Sequence, residues 1–360
     1  MKLAEFDYEL PRERIAQYPL AERDASRLLL VERESGRWRD HCFRELPRLL
    51  CGDELLVLNN ARVFPARLYG RRRGVGARAP GRRSRVRKQH LAAAIEVLLV
   101  RRLEEGNRWE ALVRPGRKVG TGEVLIFGDG ELEAEVVGRG EYGLRTLRFR
   151  SAGDFRETVE RLGHVPLPPY IDRADEPADR DRYQTVFARQ GEAVAAPTAG
   201  LHFTRETLEA LRQQGCEVVE ITLEVGYGTF QPLHTETVEQ HKMHAEAYEI
   251  SAAAAAAIER ARAAGRPVLA VGTTVVRALE DCASRHGRIV PGRAEAELYI
   301  YPGYQFKVVQ QLLTNFHLPR SSLLILACAF AGQENILRAY RHAVAESYRF
   351  YSYGDCMLIR

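Results

Sequence analysis

The feature that most constrains the fold of this 360-residue chain is a change in its pattern of regular elements near residue 155. Between residues 95 and 150, short apolar or alternating segments follow one another closely and are separated by glycine turns such as Gly128-Asp129-Gly130. Short strands at this spacing indicate a small barrel or sandwich. After residue 155, strands of buried type alternate with helices, which is the pattern of an α/β domain.

Two helices of the second half have recognisable ends. Thr204 is expected to cap a helix that ends near Gly215, and Ser251 is expected to cap an alanine-rich helix that ends by Gly265. A hydroxyl at the start and a glycine past the end are the usual boundaries of a helix in a globular protein.

The positive charge of the chain is concentrated in one segment. Nine basic residues and no acidic residue lie between Arg71 and Lys88. The positive charge of this segment is therefore larger than the net charge of the whole chain, which is +5. It is also rich in glycine and proline and poor in apolar residues, which predicts a flexible, solvated insertion at about residues 71–94. Contact between its arginines and phosphate groups is the functional alternative.

The rest of the composition is typical of a cytoplasmic globular protein. The longest apolar run, Leu323–Ala331, is too short to span a membrane and indicates a buried helix, and the N-terminus lacks the apolar core of a signal peptide. The six cysteines include no C-x-x-C pair, which predicts scattered reduced thiols. His234, His241, His244 and Glu246 do not have the spacing of a zinc site, so we expect no metal.

One segment combines turn-forming residues with groups that could act on a substrate. It runs from Ala195 to Phe203 and contains Pro197, Thr198, Gly200 and His202. Proline and glycine favour a tight turn that can bring the backbone close to a ligand. The hydroxyl and the imidazole would then face that ligand. The alternative is a plain turn with His202 held in the core.

Four further segments pair glycine or proline with polar residues. Three of them follow or adjoin buried strands, and ligands of open α/β folds bind beyond the carboxyl ends of such strands. Glycine there lets backbone N–H groups approach a ligand, and a helix N-terminus favours a negative group such as a carboxylate. The four segments are Leu223–Pro232, Val271–Glu280, Leu313–Ser322 and Tyr348–Asp355.

The last of these segments carries an aromatic stripe. Tyr348, Phe350, Tyr351 and Tyr353 are expected to pack in the core, with a stacking platform for a base or adenine as the alternative. Asp355, after the turn, is a candidate hydrogen-bond acceptor for a substrate or an ordinary turn aspartate.

In their order along the chain, these segments resemble one family. Together with Asp7–Pro11 and Asn59–Leu68, they are similar to the S-adenosylmethionine:tRNA ribosyltransferase-isomerases of queuosine biosynthesis, over nearly the whole chain. The resemblance implies an α/β domain that contains both termini and a small β domain inserted into it. We therefore expect an α/β domain of residues 1–61 and 156–360 and an all-β, barrel-like domain of residues 62–155.

The resemblance implies a reaction in which S-adenosylmethionine donates its ribosyl group instead of its methyl group. The acceptor would be the 7-aminomethyl group of a 7-deazaguanine (preQ1) at the tRNA wobble position, and the products would be epoxyqueuosine-tRNA, adenine and methionine. This chemistry needs a general base but no metal or redox cofactor, so S-adenosylmethionine is expected to be a consumed co-substrate. The resemblance also suggests a monomer. The rival functions are an RNA methyltransferase and a non-catalytic RNA-binding protein.

Individual residues can be matched to the needs of this chemistry. His202 is the first candidate for the general base and His317 the second. Glu224 is a further catalytic candidate: it stands at a position where relatives usually carry histidine, and its carboxylate could serve as the base or pair with the sulfonium. Arg277 and Arg320 would contact a carboxylate or phosphate. The other candidate substrate-binding residues are Thr198, Gly200, Tyr227, Gly228, Thr229, Thr273, Thr274, Asn315 and Asp355.

Basic residues at or in the β domain are candidates for binding the anticodon stem of the tRNA. The alternative is that they are scattered surface residues. The candidates are Arg62, Arg67, Arg114, Arg117 and Lys118.

Overall fold

The structure is a computed structural model that divides into two units. One comprises Met1–Val63 and Pro168–Arg360, and the other comprises Phe64–Leu167. For residues 118 and 192 only the backbone is described. The described residues are 1–74, 93–103, 106–140, 143–224, 226, 233, 235–243 and 245–360.

The elements are named here in chain order. The strands are β1 (Arg27–Val31), β2 (Trp38–Cys42), β3 (Leu55–Asn59), β4 (Ala61–Val63), β5 (Arg67–Arg72), β6 (Ile95–Arg102), β7 (Arg108–Arg114), β8 (Val124–Phe127), β9 (Leu132–Arg139), β10 (Leu144–Ser151), β11 (Gln190–Ala193), β12 (Glu217–Leu223), β13 (Glu246–Ile250), β14 (Val268–Val271), β15 (Gly292–Ala296), β16 (Gln311–Asn315) and β17 (Cys356–Ile359). The α-helices are α1 (Leu46–Leu49), α2 (Phe155–Leu162), α3 (Asp179–Arg182), α4 (Arg205–Gln213), α5 (Ala252–Ala263), α6 (Thr273–His286), α7 (Ser322–Ala331) and α8 (Gln333–Ala345).

The first unit is built on a nine-stranded mixed sheet with the order β15-β13-β12-β3-β14-β16-β17-β1-β2. Strands β12, β3, β14 and β16 are mutually parallel, so their carboxyl ends lie at one edge. β17 is antiparallel to β16, and β1 is parallel to β17. The amino ends of β17 and β1 therefore lie at that same edge, which we call the strand-end edge.

The central strands are apolar because both faces of the sheet are covered. Along β3, Leu55 and Val57 belong to one buried cluster, whereas Leu56 and Leu58 belong to another. All four side chains are fully buried. Continuous apolar runs of this kind are typical of strands buried on two faces, as the sequence predicts for an α/β domain.

The two predicted helix caps are confirmed. The hydroxyl of Thr204 accepts a hydrogen bond from the Thr207 N–H of α4 at 3.1 Å, and the hydroxyl of Ser251 accepts one from the Ala254 N–H of α5 at 3.1 Å. Each helix ends two residues before a glycine with positive φ, as a left-handed helix terminus requires.

The second unit contains a closed antiparallel barrel with the strand order β10-β7-β6-β5-β8-β9. The predicted fold class, an α/β domain with a small barrel-like all-β domain, is confirmed. Helix α2 belongs to this unit because Phe155 packs against the rings of Trp109 and Phe149, at centroid distances of 5.8 and 5.2 Å. The unit therefore extends to Leu167, beyond the boundary at residue 155 that we expected.

The basic insertion expected at residues 71–94 lies largely outside the described residues. Its first two residues are part of β5, and Arg72 is buried. The six cysteines are all free, as predicted. In the part of the chain that the structure describes, no helix combines the length and the apolar character needed to cross a bilayer.

At the strand-end edge, Asp355 connects the starts of two neighbouring strands. One carboxylate oxygen accepts from the N–H of Arg27, at the start of β1, at 2.8 Å. The other accepts from the N–H of Arg349 at 2.7 Å. Burial raises the pKa of Asp355 above its ordinary value, although these amides and the two arginine charges oppose the increase. Both oxygens are thus bound by the protein's own backbone.

Replacement of this carboxylate should reduce stability. Asp355→Ala leaves two buried N–H groups without an acceptor, at a cost of about 3 kcal/mol in the free energy of unfolding. Urea denaturation measures this loss, and Asp53→Ala, at an exposed aspartate, is the matched control. A stable Asp355→Ala protein with a raised KM for substrate would instead favour the substrate-binding role.

Candidate functional site

A cavity opens at the strand-end edge, and we call it the strand-end cavity. Its wall is formed by residues 196–199, by residues 272–274, by residues 314–319 and by residues 351–352, together with Tyr170. Four of the five segments singled out in the sequence therefore meet in one place, with the residues after β14 and at the end of β16 side by side.

Helix α6 begins at this cavity. Gly272 has φ = +100°, a conformation that favours glycine, and its N–H donates to the carbonyl of Leu313 at 2.8 Å. Thr273 and Thr274, in the first turn, line the cavity. Among the described residues, the first N–H groups of α6 have no acceptor, so the positive end of the helix faces this space.

His317 lines the cavity with a neutral imidazole. Its Nε2 shares a hydrogen bond of 2.9 Å with the hydroxyl of Thr314. Its Nδ1 makes no hydrogen bond within the described residues. Burial lowers the pKa of His317 to about 3, so the ring is uncharged at neutral pH. The backbone is held by Tyr340, whose hydroxyl accepts from the His317 N–H, and by Tyr8, whose hydroxyl donates to the His317 carbonyl.

His202 contacts the cavity-lining Asn315, and both of its ring nitrogens are hydrogen-bonded. Asn315 donates its amide N–H to the carbonyl of Tyr351 at 2.8 Å, so its amide oxygen is left to accept from His202 Nε2 at 3.3 Å. His202 Nδ1 then accepts from the hydroxyl of Ser26 at 2.7 Å. Burial, assisted by the positive charges of Arg23 and Arg349, lowers the pKa of His202 to about 4.

Two aromatic side chains form part of the cavity wall. The rings of Tyr170 and Tyr351 are 4.0 Å apart between centroids, and the hydroxyl of Tyr170 shares a 2.6 Å hydrogen bond with Ser352. Tyr348 and Phe350 are fully buried core residues, as expected for most of the stripe. Only Tyr351 of the four aromatic residues in the stripe lines the strand-end cavity.

The structure brings six of the predicted site residues together. Five of them line the strand-end cavity, the sixth is hydrogen-bonded to one of these five, and their functional roles remain predictions. They are Thr198, Thr273, Thr274, Asn315 and His317 in direct contact with the cavity, and His202 through its bond to Asn315.

Several other predicted residues serve the fold at their observed positions. A Cβ at Gly200 would lie 2.8 Å from side-chain atoms of Phe187 and Thr185, so this glycine is required for close packing. Arg277 is buried and forms an ion pair of 2.6 Å with Glu246. Its guanidinium also donates to the carbonyls of Leu298 and Ala296. Asp355 binds backbone amides, as described above. None of these three residues lines the cavity.

Two charged candidates lie in exposed ion pairs. Glu224 forms a 3.1 Å pair with Arg293 of β15, and its side chain is 42% exposed. Arg320 pairs with Asp7. Neither lines the strand-end cavity, so the structure does not place Glu224 beside His202 and His317. Tyr227, Gly228, Thr229, His234 and His244 lie outside the described residues.

The candidate tRNA-binding residues have different environments. Arg67 is held by Glu96 at 3.2 Å and donates to the carbonyl of Leu167, so its charge is largely satisfied within the barrel unit. Arg62, Arg114 and Arg117 are exposed. The side chain of Lys118 is not described.

Sequence reasoning missed three residues of this site. Tyr170 follows a proline-rich stretch, Pro166-Leu167-Pro168-Pro169, which could have identified a loop that presents an aromatic ring. Ser352 stands within the aromatic stripe. Ser26 gave no sequence signal, because its hydrogen bond to His202 joins residues that are far apart in the chain.

Comparisons with known proteins agree over the full length. A family model described as "Queuosine biosynthesis protein" matches residues 3–359. A protein of Solibacter usitatus (strain Ellin6076) named S-adenosylmethionine:tRNA ribosyltransferase-isomerase is 56% identical over 360 residues, and one of the same name from Moorella thermoacetica (strain ATCC 39073 / JCM 9320) is 52% identical over 360 residues. In both cases the comparison covers 100% of each chain.

A solved structure is similar as well. The crystal structure of S-adenosylmethionine tRNA ribosyltransferase from Thermotoga maritima is 37% identical in sequence, with a TM-score of 0.53. The similarity covers 99% of this chain and 100% of that chain. The chain therefore belongs to the queuosine biosynthesis family of S-adenosylmethionine:tRNA ribosyltransferase-isomerases.

Proposed function

We propose that the protein transfers the ribosyl group of S-adenosylmethionine to the aminomethyl group of preQ1 at the tRNA wobble position. The group is isomerised to the epoxycyclopentane of epoxyqueuosine, and adenine and methionine leave. The observation that carries the proposal is the strand-end cavity, which combines a helix N-terminus, an aromatic pair and a neutral histidine in a chain of this family. S-adenosylmethionine is then a consumed co-substrate, and the scheme calls for no further cofactor.

The cavity offers complementary surfaces to the two ends of S-adenosylmethionine. The uncapped N–H groups at Thr273 and Thr274 suit the methionine carboxylate, because a helix N-terminus stabilises negative charge. The faces of Tyr170 and Tyr351 suit the adenine, by stacking, and the positive sulfonium, by cation–π attraction. These placements orient the ribose between α6 and the aromatic pair.

The chemistry requires a proton to be removed from C5′, which the adjacent sulfonium acidifies. His317 is the imidazole that lines the cavity, and it is uncharged at neutral pH. We therefore assign the proton transfer to His317. His202 acts through Asn315, whose orientation it fixes, and is a positioning residue. This order reverses the one expected from the sequence, because both nitrogens of His202 are already hydrogen-bonded.

The acceptor base is accessible to such a cavity. The wobble nucleotide is in a single-stranded loop, so it can be turned out of its stack at modest cost. Its aminomethyl group must be neutral to attack the ribose, and a largely apolar, partly desolvated cavity favours the neutral amine.

The reaction class can be tested by identifying the products. Incubation of the protein with S-adenosylmethionine and preQ1-bearing tRNA is expected to release adenine and methionine, measured by chromatography. The control is the same tRNA with unmodified guanine, which lacks the nucleophilic amine and should yield neither product. Release of S-adenosylhomocysteine would contradict the proposal and identify a methyltransferase. Binding of tRNA without any product would identify a binding protein.

The two histidines should differ in their kinetic effects. His317→Gln is expected to lower kcat by about a hundredfold or more, because general base catalysis typically contributes that factor. His202→Gln should have a smaller effect on kcat and raise KM, since it disturbs only the position of Asn315. His286→Gln, at an exposed histidine of α6, is the matched control. A larger loss of kcat in His202→Gln than in His317→Gln would reverse the assignment.

The uncharged state of the two histidines predicts a pH-dependent stability. The unfolded chain binds a proton at each ring below about pH 6.5, whereas the folded protein binds none until about pH 4 at His202 and about pH 3 at His317. The free energy of unfolding should therefore fall by about 2 kcal/mol per histidine between pH 7 and pH 5. Urea denaturation should show this loss reduced by about 2 kcal/mol in His202→Gln but unchanged in His286→Gln. An identical pH dependence in wild type and His202→Gln would show that His202 is not held neutral.

A further inference from the structure

A second cleft is lined by His202 and by two arginines. Arg23 and Arg182 form part of its wall, and Ser352 lines both this cleft and the strand-end cavity. A third arginine, Arg349, lies beside this wall, because its guanidinium donates to the carbonyl of Tyr18, the neighbour of the lining residue Pro19. Its charge, like that of Arg23, disfavours protonation of His202. We call this site, with its three guanidinium groups, the arginine cleft.

The three guanidinium groups are held in place by backbone carbonyls. Such bonds fix the direction of a guanidinium without neutralising its charge. The side chain of Arg23 is only 11% exposed, so it is a fixed part of the wall. The acceptors are the carbonyl oxygens of Leu201 and Asp181 for Arg23, of Ala21 for Arg182 and of Tyr18 for Arg349.

The positive charges of the cleft are poorly matched by acidic groups. Among the described residues, Arg182 and Arg349 form no ion pair with a carboxylate. Arg23 has one weak pair, at 3.5 Å, with Asp181, whose side chain is 86% exposed.

The other two acidic groups near the cleft are already engaged. Glu22, which also lines the cleft, is 69% exposed and pairs with Arg44 at 2.7 Å. Asp355 interacts electrostatically with Arg349, but its two oxygens accept from backbone amides. The cleft therefore carries a net positive charge that the protein does not neutralise.

Two donors in the arginine cleft lack an acceptor. Nη1 of Arg349 and Nε of Arg182 are buried and make no hydrogen bond. A buried donor without an acceptor is costly, and a bound oxyanion would remove that cost. The planar fork of arginine binds carboxylate and phosphate oxygens in a bidentate manner, and of these two groups phosphate is the one that recurs along an RNA strand.

We propose that the arginine cleft binds a phosphate group of the tRNA backbone next to the wobble nucleotide. The proposal rests on the proposed function and adds the site at which the substrate strand is gripped. The shared Ser352 and the hydrogen bond from His202 to Asn315 make the cleft and the cavity direct neighbours. A base inserted into the strand-end cavity would leave its flanking phosphate at the three arginines.

The test removes the charge of one phosphate in the RNA and, separately, the charge of one arginine in the protein. An anticodon stem-loop RNA with one methylphosphonate next to the wobble position should bind the wild-type protein about tenfold more weakly than the native RNA. The same substitution in the stem, away from the wobble position, is the control. This arm uses the unaltered protein, so it does not depend on the folding of a variant.

The protein arm uses Arg349→Gln and Arg182→Gln. Each should weaken the binding of native RNA about tenfold and reduce the salt dependence of log Kd by about 0.7. The flanking methylphosphonate should then cause little further loss. Arg349→Lys should restore part of the affinity, and Arg212→Gln, at an exposed arginine of α4, should bind as wild type. Melting temperatures of the variants identify any loss of folding.

Three results would overturn the proposal. The first is a methylphosphonate effect that is the same in the wild type and in Arg349→Gln. The second is an unchanged salt dependence in both arginine variants. The third is stabilisation of the wild type by inorganic phosphate without any effect of the flanking methylphosphonate, which would make the cleft a site for a free anion. Failure of the proposed function is a separate outcome, because absence of adenine release leaves these binding measurements unaffected.

Discussion

The side-chain amide of Asn315 is the interaction on which the site depends. Asn315 is the last residue of β16. Its side-chain amide donates to the carbonyl of Tyr351 and accepts from His202, which in turn accepts from Ser26. This series of bonds joins the end of one strand to the segments before β17 and β1. Because the amide can be satisfied in only one orientation, it also fixes which nitrogen of His202 carries the proton. The cavity wall is therefore held rigid by neutral groups, which leaves its electrostatics to α6 and the ligand.

The strand-end cavity and the arginine cleft are adjacent, but they differ in charge. The strand-end cavity is lined by the uncharged His317, by hydroxyls and by aromatic rings, whereas the cleft beside it has Arg23 and Arg182 in its wall and Arg349 nearby. A ligand that carries a sulfonium is repelled by nearby cations, so a cavity free of arginine suits it. A polyanionic strand needs the opposite surface. His202 separates the two, and burial next to these cations explains why it stays uncharged.

Local chemistry was the part of the structure that the sequence predicted well. The caps at Thr204 and Ser251, the buried strand Val268–Val271 and the short strands of the barrel follow from patterns within a few residues. Strand β5 was not predicted, because Arg67–Arg72 contains few apolar residues. It is a strand because it pairs with β6 and β8.

Residue roles were harder to predict because the partners are distant in the sequence. Arg277 looks like a ligand contact until Glu246, on another strand, is seen to pair with it. His202 looks like a free base until Ser26 and Asn315 are placed beside it. Arg23 and Arg349 stand singly in the sequence, far from the basic segment 71–88, and only the fold brings both of them near His202.

The position of β17 has a consequence for how the protein is made. This strand, at residues 356–359, lies inside the sheet between β16 and β1, and the hairpin of β1 and β2 attaches to the sheet only through it. During translation, β1 and β2 must therefore wait for residues 356–359 before they can join the sheet, whereas the barrel needs only residues up to about 167. A chain that ended before Cys356 would lack β17, so β1 and β2 would have no strand through which to join the rest of the sheet.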